Sequence, residues 1–160
     1  MRFVSEYIVG IEDHYAWANL VSVITVGSDD ELLDRRRVEL LDRGLPASPY
    51  HGDTIGMALL DAETLVLEVR TSAKARARSA LSSLIADLAP ATCRGIAIRK
   101  PPLTRLPNSV AEVHADALIR NRADGMIYHL ALTDAAVDMG LGVSYFDKAT
   151  ILTQVAAARE

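Results

Sequence analysis

Between Asp61 and Pro90 the chain contains neither glycine nor proline. Asp61 is a good N-cap residue, Glu63 and Glu68 follow early, and Val66, Val69, Ala73, Ala77, Ala80, Leu81, Leu84 and Leu88 recur at helical spacing. The pattern predicts one helix of about 27 residues, about 40 Å long. Its alanine-rich middle lets it lie close to a sheet or to a partner helix. Arg70, Lys74, Arg76 and Arg78 fall on its other faces and read as a solvated surface rather than a nucleic-acid stripe.

Ahead of this helix the pattern is that of strands. Glu6 to Ile11 is rich in Ile, Val and Tyr, and Ala16 to Val26 is apolar on both alternating faces, so the second strand is expected to be covered on both sides. The polar cluster Glu12, Asp13, His14 falls at the bend between them. Gly27-Ser28-Asp29-Asp30 supplies turn chemistry. Glu31 to Arg43 fits a helix capped by Asp29 and ended by Gly44, or a third strand. The strand is preferred because the segment follows a tight turn in a hairpin series. Arg35-Arg36-Arg37 then reads as a charged, solvated edge, which discourages pairing with other chains. From Gly44 to Asp61, about 18 residues with Pro46, Pro49 and Gly52, the connection is longer than most inside a compact domain.

Beyond the long helix, Gly95 to Arg99 reads as a buried parallel strand followed by the breakers Pro101-Pro102. Ser109 and Glu112 form a capping box. Helical spacing then runs through Val110, Val113, Ala117 and Leu118 and again through Met126, Ile127, Leu130, Ala131 and Val137, with Gly125 as an expected kink or break. Gly140-Leu141-Gly142 ends it, Val143 to Phe146 is a last strand, and Ala149 to Ala158 a terminal helix. Three antiparallel strands followed by alternating helix and strand imply an α/β fold, a mixed sheet with helices on both faces, in a single domain spanning 1–160.

Composition removes several classes of function. Half of the residues are apolar and 24% charged, a globular balance, and at 160 residues a radius of gyration of roughly 15 Å follows. The single cysteine, Cys93, points to a reducing compartment and a cytoplasmic location. The stretch from Met1 to Glu6 lacks the apolar run of a signal peptide, and no segment approaches the roughly 18 apolar residues of a membrane span. A net charge of −4 argues against general nucleic-acid binding. The histidines at 14, 51, 114 and 129 contain no zinc-type pair, and there is neither a glycine-rich phosphate loop nor a nucleophile elbow.

The order of elements resembles the ribonuclease H-like fold, and Arg122 to Val155 is similar to the corresponding part of bacterial Holliday-junction resolvases. Arg122, Gly125, Ala131, Ala135, Ala136, Gly140, Val143 and Tyr145 carry that resemblance, with Val9-Gly10-Ile11-Glu12-Asp13 resembling the family's first strand. It implies carboxylates holding two Mg2+ or Mn2+ ions about 4 Å apart. Glu12 or Asp13 matches the first of them. Arg99 and Lys100 stand where the second is expected, and the terminal helix offers no acidic pair, so Asp53 or Asp147 would have to serve.

The topology gathers Glu12, Asp13, His14, the Tyr50-His51-Asp53 loop, Arg99, Lys100, Arg105 and Asp147 on one rim. Three readings follow. The first is a non-catalytic binding or scaffold domain with a degenerate site, self-associating as a homodimer through its apolar helical surface. The rival is a metal-dependent nuclease with Glu12, Asp13 and Asp147 as catalytic candidates and Glu12, Asp13 and Asp53 as metal ligands. The third is an anion or nucleotide binder using Arg99, Lys100, Arg105 and Ser109.

Overall fold

Alternation along the first strand sets the architecture. In a computed structural model that describes residues 5–150, β1 (Glu6–Asp13) buries Tyr7, Val9, Ile11 and Asp13 and leaves Glu6, Ile8 and Glu12 exposed. β2 (Trp17–Val26) pairs antiparallel with β1, with Ile11 opposite Leu20, so its buried set is Ala18, Leu20, Ser22 and Ile24. β3 (Asp29–Glu39) pairs antiparallel with β2. The strand reading of the segment after the turn is therefore right, and the helical alternative is wrong. Two further strands, β4 (Thr92–Arg99) and β5 (Gly142–Phe146), run parallel, β4 to β1 and β5 to β4. The five strands form one mixed sheet in the order β3-β2-β1-β4-β5. Its edge strand β3 carries the arginine run, as expected of a charged edge.

Three helices cover the face bearing Val9, Ile11, Leu20, Ile96 and Ile98: α1 (Leu59–Asp87), α2 (Val110–Ala115) and α3 (Ala117–Asp138). The expected stripe of α1 is buried at Val66, Val69, Ala73, Ala77, Leu81 and Leu84, largely against α3. A stripe of alanines at the centre leaves room for the neighbouring helix, which contributes its own Ala123, Ala131, Ala135 and Ala136 to the core. Trp17, Asn19, Val21 and Val23 on the other face of β2 are half-buried, so among the described residues the two-sided cover expected for that strand is absent. The expected terminal helix is described only in its first residues, to Thr150, and the remainder lies outside the described residues.

Local details differ from the sequence expectations in two places. The long helix spans 29 residues and starts at Leu59, with Ala58 rather than Asp61 at its N-cap; Asp61 lies in the first turn, where its carboxylate favours the positive end of the helix dipole. The helix does not break at Gly125. The interruption is at Asp116, an extended residue whose carboxylate accepts from the N–H groups of Leu118 and Ile119 and so caps α3, and His114 and Asp116 are accordingly not on one helix. Ser109 does cap α2, accepting from Glu112 N–H at 3.2 Å. The long connection is ordered around a π-helical turn, Pro49–Asp53.

Gly95 and Gly142 face each other where β4 and β5 meet. A Cβ built on Gly95 falls 2.5 Å from the Gly142 carbonyl oxygen, so only glycine permits this backbone approach. Among the described residues no helix is long and apolar enough to cross a membrane.

Candidate functional site

Because β1 and β4 are parallel neighbours, their C-terminal ends open on the same side of the sheet. Ile11 lies opposite Ile98, and beyond them Asp13 faces the underside of α3 while Arg99 reaches back to it. Arg99 Nε donates to Asp13 Oδ1 at 3.2 Å, and Arg99 Nη2 donates to the Asp13 carbonyl oxygen at 2.7 Å. Asp13 is 5% exposed. From α3, the buried His129 places Nδ1 3.7 Å from Asp13 Oδ2, too long for a full hydrogen bond, so Nδ1 is left without a hydrogen-bond partner. The Tyr145 ring lies alongside His129, with centroids 6.0 Å apart. Burial by itself pushes the Asp13 carboxyl up. The His129 contact and the Arg99 charge outweigh that effect, so the group titrates below the usual carboxylate range.

The hairpin between β1 and β2 is tight. His14 N–H donates to the Trp17 carbonyl at 2.9 Å across the pair Tyr15-Ala16, and Ala16 sits at φ 68°, a left-handed conformation that costs an alanine about 1 kcal/mol. This geometry stacks the His14 ring on Trp17 at 3.9 Å, while the Arg37 guanidinium carbon lies 4.0 Å from the Trp17 centroid. Tyr15 is thrown toward α3. Its hydroxyl donates to the Asn121 carbonyl at 3.3 Å, and its ring packs where a Cβ on Gly125 would lie 3.2 Å from Tyr15 Cε1. Gly125 is thus a seat for an aromatic ring in a continuous helix.

These pieces enclose a cavity of about 660 Å³, walled by Asp13, His14, Tyr15 and Trp17 from the hairpin, Arg99 and Lys100 from the end of β4, Pro102, and Asn121, Arg122 and Gly125 from α3. Three cations against one carboxylate leave it a surplus of two positive charges, on a chain whose net charge is −4. Lys100 and Arg122 have no ion-pair partner among the described residues.

The predicted rim is only partly assembled. Asp13, His14, Arg99 and Lys100 meet at the cavity. Glu12 is turned away from Asp13: β1 continues through Asp13, so successive side chains take opposite faces, and Glu12 lies beside Val21, Leu32 and Phe146 on the other side of the sheet, meeting the cavity residues only at His14, whose Nε2 is 3.5 Å from Glu12 Oε2. There Asn19 Nδ2 donates to Glu12 Oε2 at 3.1 Å and holds its carboxyl below the usual range. Asp147 accepts from Ala149 N–H at 2.9 Å, a capping role. Asp53 is exposed in the π-helical turn, and Arg105 and Ser109 lie outside the cavity walls.

Two buried residues on α3 were not expected at the site: Asp124, and His129, which reads in the sequence as an ordinary surface or helix residue. His129 stands four residues after Gly125 and three before Leu132, a core spacing, and a polar residue in a core stripe was the available signal. Asp124, 1% exposed, accepts from the backbone N–H groups of Tyr50 at 2.9 Å and His51 at 3.1 Å, and so binds the long connection to α3. Desolvation raises its carboxyl, only partly offset by those two N–H groups.

The donor set does not suit the two divalent ions that the resolvase resemblance implies. Asp13 is engaged by Arg99 and His129, Glu12 is on the opposite face, and cations dominate the cavity. Among the described residues no three His, Cys, Asp or Glu side chains are placed to hold a metal. Comparison with known proteins returned no matching family model and no matching curated protein.

Proposed function

We propose that this chain is a non-catalytic binding domain of ribonuclease H-like type whose rim takes an anion in place of metal ions. The arrangement of three antiparallel strands followed by helices and parallel strands supports the fold reading. One observation carries the functional reading: the Arg99 guanidinium clamps the carboxylate that a metal would need. A cation at hydrogen-bond distance repels a divalent ion and competes for the same oxygen. The cavity that remains is positively charged and lined by aromatic rings, which suits an anionic ligand.

Calorimetry with magnesium and manganese, together with cleavage of a branched DNA junction, tests this reading. No two-ion binding in the micromolar range and no cleavage are expected. Two ions bound with micromolar affinity, and cleavage abolished by both Glu12→Ala and Asp13→Ala, would establish the nuclease reading instead.

The scaffold part of the proposal places self-association on the outer face of α1, where Leu60 is 78% and Leu67 63% exposed. Sedimentation velocity is expected to give a dimer for the natural chain and a monomer for Leu60→Asp/Leu67→Asp. A monomer in both cases removes that interface. The lone thiol supports placing the protein in a reducing, cytoplasmic compartment.

A further inference from the structure

We infer that the cavity between the β1–β2 hairpin and α3 binds a phosphomonoester carried on a flat heteroaromatic body, the chemistry of a nucleoside monophosphate. This rests on the reading of the rim as a metal-free anion site and specifies its ligand. Charge gives the anionic part. Arg99 is already satisfied by Asp13, whereas Lys100, just past β4, and Arg122, on α3, approach from separate elements with no ion-pair partner among the described residues. The surplus of two positive charges matches a phosphomonoester, which carries about −1.5 to −2 near neutral pH, better than a singly charged carboxylate. Volume gives the rest. About 660 Å³ is far more than a phosphate group fills and lies within the range of sites for small organic ligands. Its remaining walls include two aromatic rings: His14, backed by Trp17, and Tyr15, 45% exposed yet fixed by its hydroxyl on Asn121. A planar base finds stacking surface there without displacing any charge pair.

Such a phosphomonoester occurs on a free nucleotide and at the 5′ end of a nucleic-acid strand. Trp17 is the only tryptophan of the chain and lines the cavity, so its fluorescence reports occupancy directly. The full chain, in buffer containing a chelator, is titrated with AMP, adenosine, inorganic phosphate, and an oligonucleotide with either a 5′-phosphate or a 5′-hydroxyl. AMP or the 5′-phosphorylated strand is expected to bind with a dissociation constant below about 1 mM. Adenosine, phosphate and the 5′-hydroxyl strand are expected to bind at least about tenfold more weakly, the factor that the loss of one charged contact produces. Arg122→Ala and Lys100→Ala, both exposed and remote from the core, are each expected to weaken binding by a similar factor. Tighter binding of AMP than of the phosphorylated strand assigns the site to free nucleotide, and the reverse assigns it to strand ends. The inference is overturned if neither phosphorylated probe binds at several millimolar, if the two oligonucleotides bind alike, or if Arg122→Ala leaves affinity unchanged. The chelator separates this result from the metal titration and junction cleavage, which alone decide the non-catalytic reading.

Discussion

Asp124→Ala is expected to destabilise the protein by about 3–4 kcal/mol, because it strands two donors at once. The Tyr50 and His51 N–H groups both end on this carboxylate, and each unpaired buried donor costs about 1–3 kcal/mol. Tyr50 is 2% exposed, so water cannot readily replace the lost acceptor at that N–H. For a domain of this size the change corresponds to a melting temperature lower by roughly 10 °C. Amide hydrogen exchange at Tyr50 and His51 should accelerate beyond the global effect, since the π-helical turn loses its tether to α3. Asp124→Asn, which keeps one acceptor oxygen, is expected to cost less. The Asp124 carboxyl is raised, so its contribution to stability is fully present at acid pH and is lost as pH rises through the raised value. The advantage of the natural chain over the Asp124→Asn variant should therefore shrink from acid toward neutral pH; thermal melts showing an advantage that grows with pH would mean that the two N–H bonds, not desolvation, dominate the titration of this carboxyl.

Arg99→Ala is expected to cost about 2–3 kcal/mol, since it leaves the nearly buried Asp13 carboxylate with only the 3.7 Å contact to His129. The Arg99 side chain is 43% exposed, so the lower part of the range for breaking a buried pair applies. Double-mutant analysis with Asp13→Asn checks the cause: the two changes together should cost clearly less than the sum of the single changes. The pH dependence has a definite sign. The Asp13 carboxyl is lowered in the folded state, so its stabilising contribution is present above the ordinary aspartate range and is lost as pH falls through the lowered value. The gap between the natural protein and Arg99→Ala should accordingly close in acid. Denaturant melts that show an equal gap at pH 3 and pH 7 would mean that Arg99 acts through packing and its bond to the backbone carbonyl alone.

Both predictions rest on contacts between residues far apart in the chain, and this marks the boundary of what the sequence could tell. The 29-residue helix, the cap at Ser109 and the turn after β2 follow from local periodicity and from residues whose backbone preferences act within a few positions. The same period-two rule implies that Glu12 and Asp13 take opposite faces once β1 is known to continue through Asp13. A bend placed two residues early, directly after Ile11, merges them into a single acidic cluster. Similarly, Asp116 and Gly125 are both plausible helix breakers by type, and the choice fell to Asp116 because its carboxylate caps α3 while Gly125 leaves space for Tyr15.

What the amino-acid order determined by itself is the set of elements, their succession and the α/β class, because those depend on spacing along the chain. Only the tertiary structure decided the chemistry of the rim. Arg99 and Asp13 lie 86 residues apart, and Asp124 lies 74 from Tyr50; such pairs exist because parallel strands end together and α3 crosses above them. That packing turned what reads along the chain as one acidic cluster into one neutralised carboxylate beside a positively charged cavity.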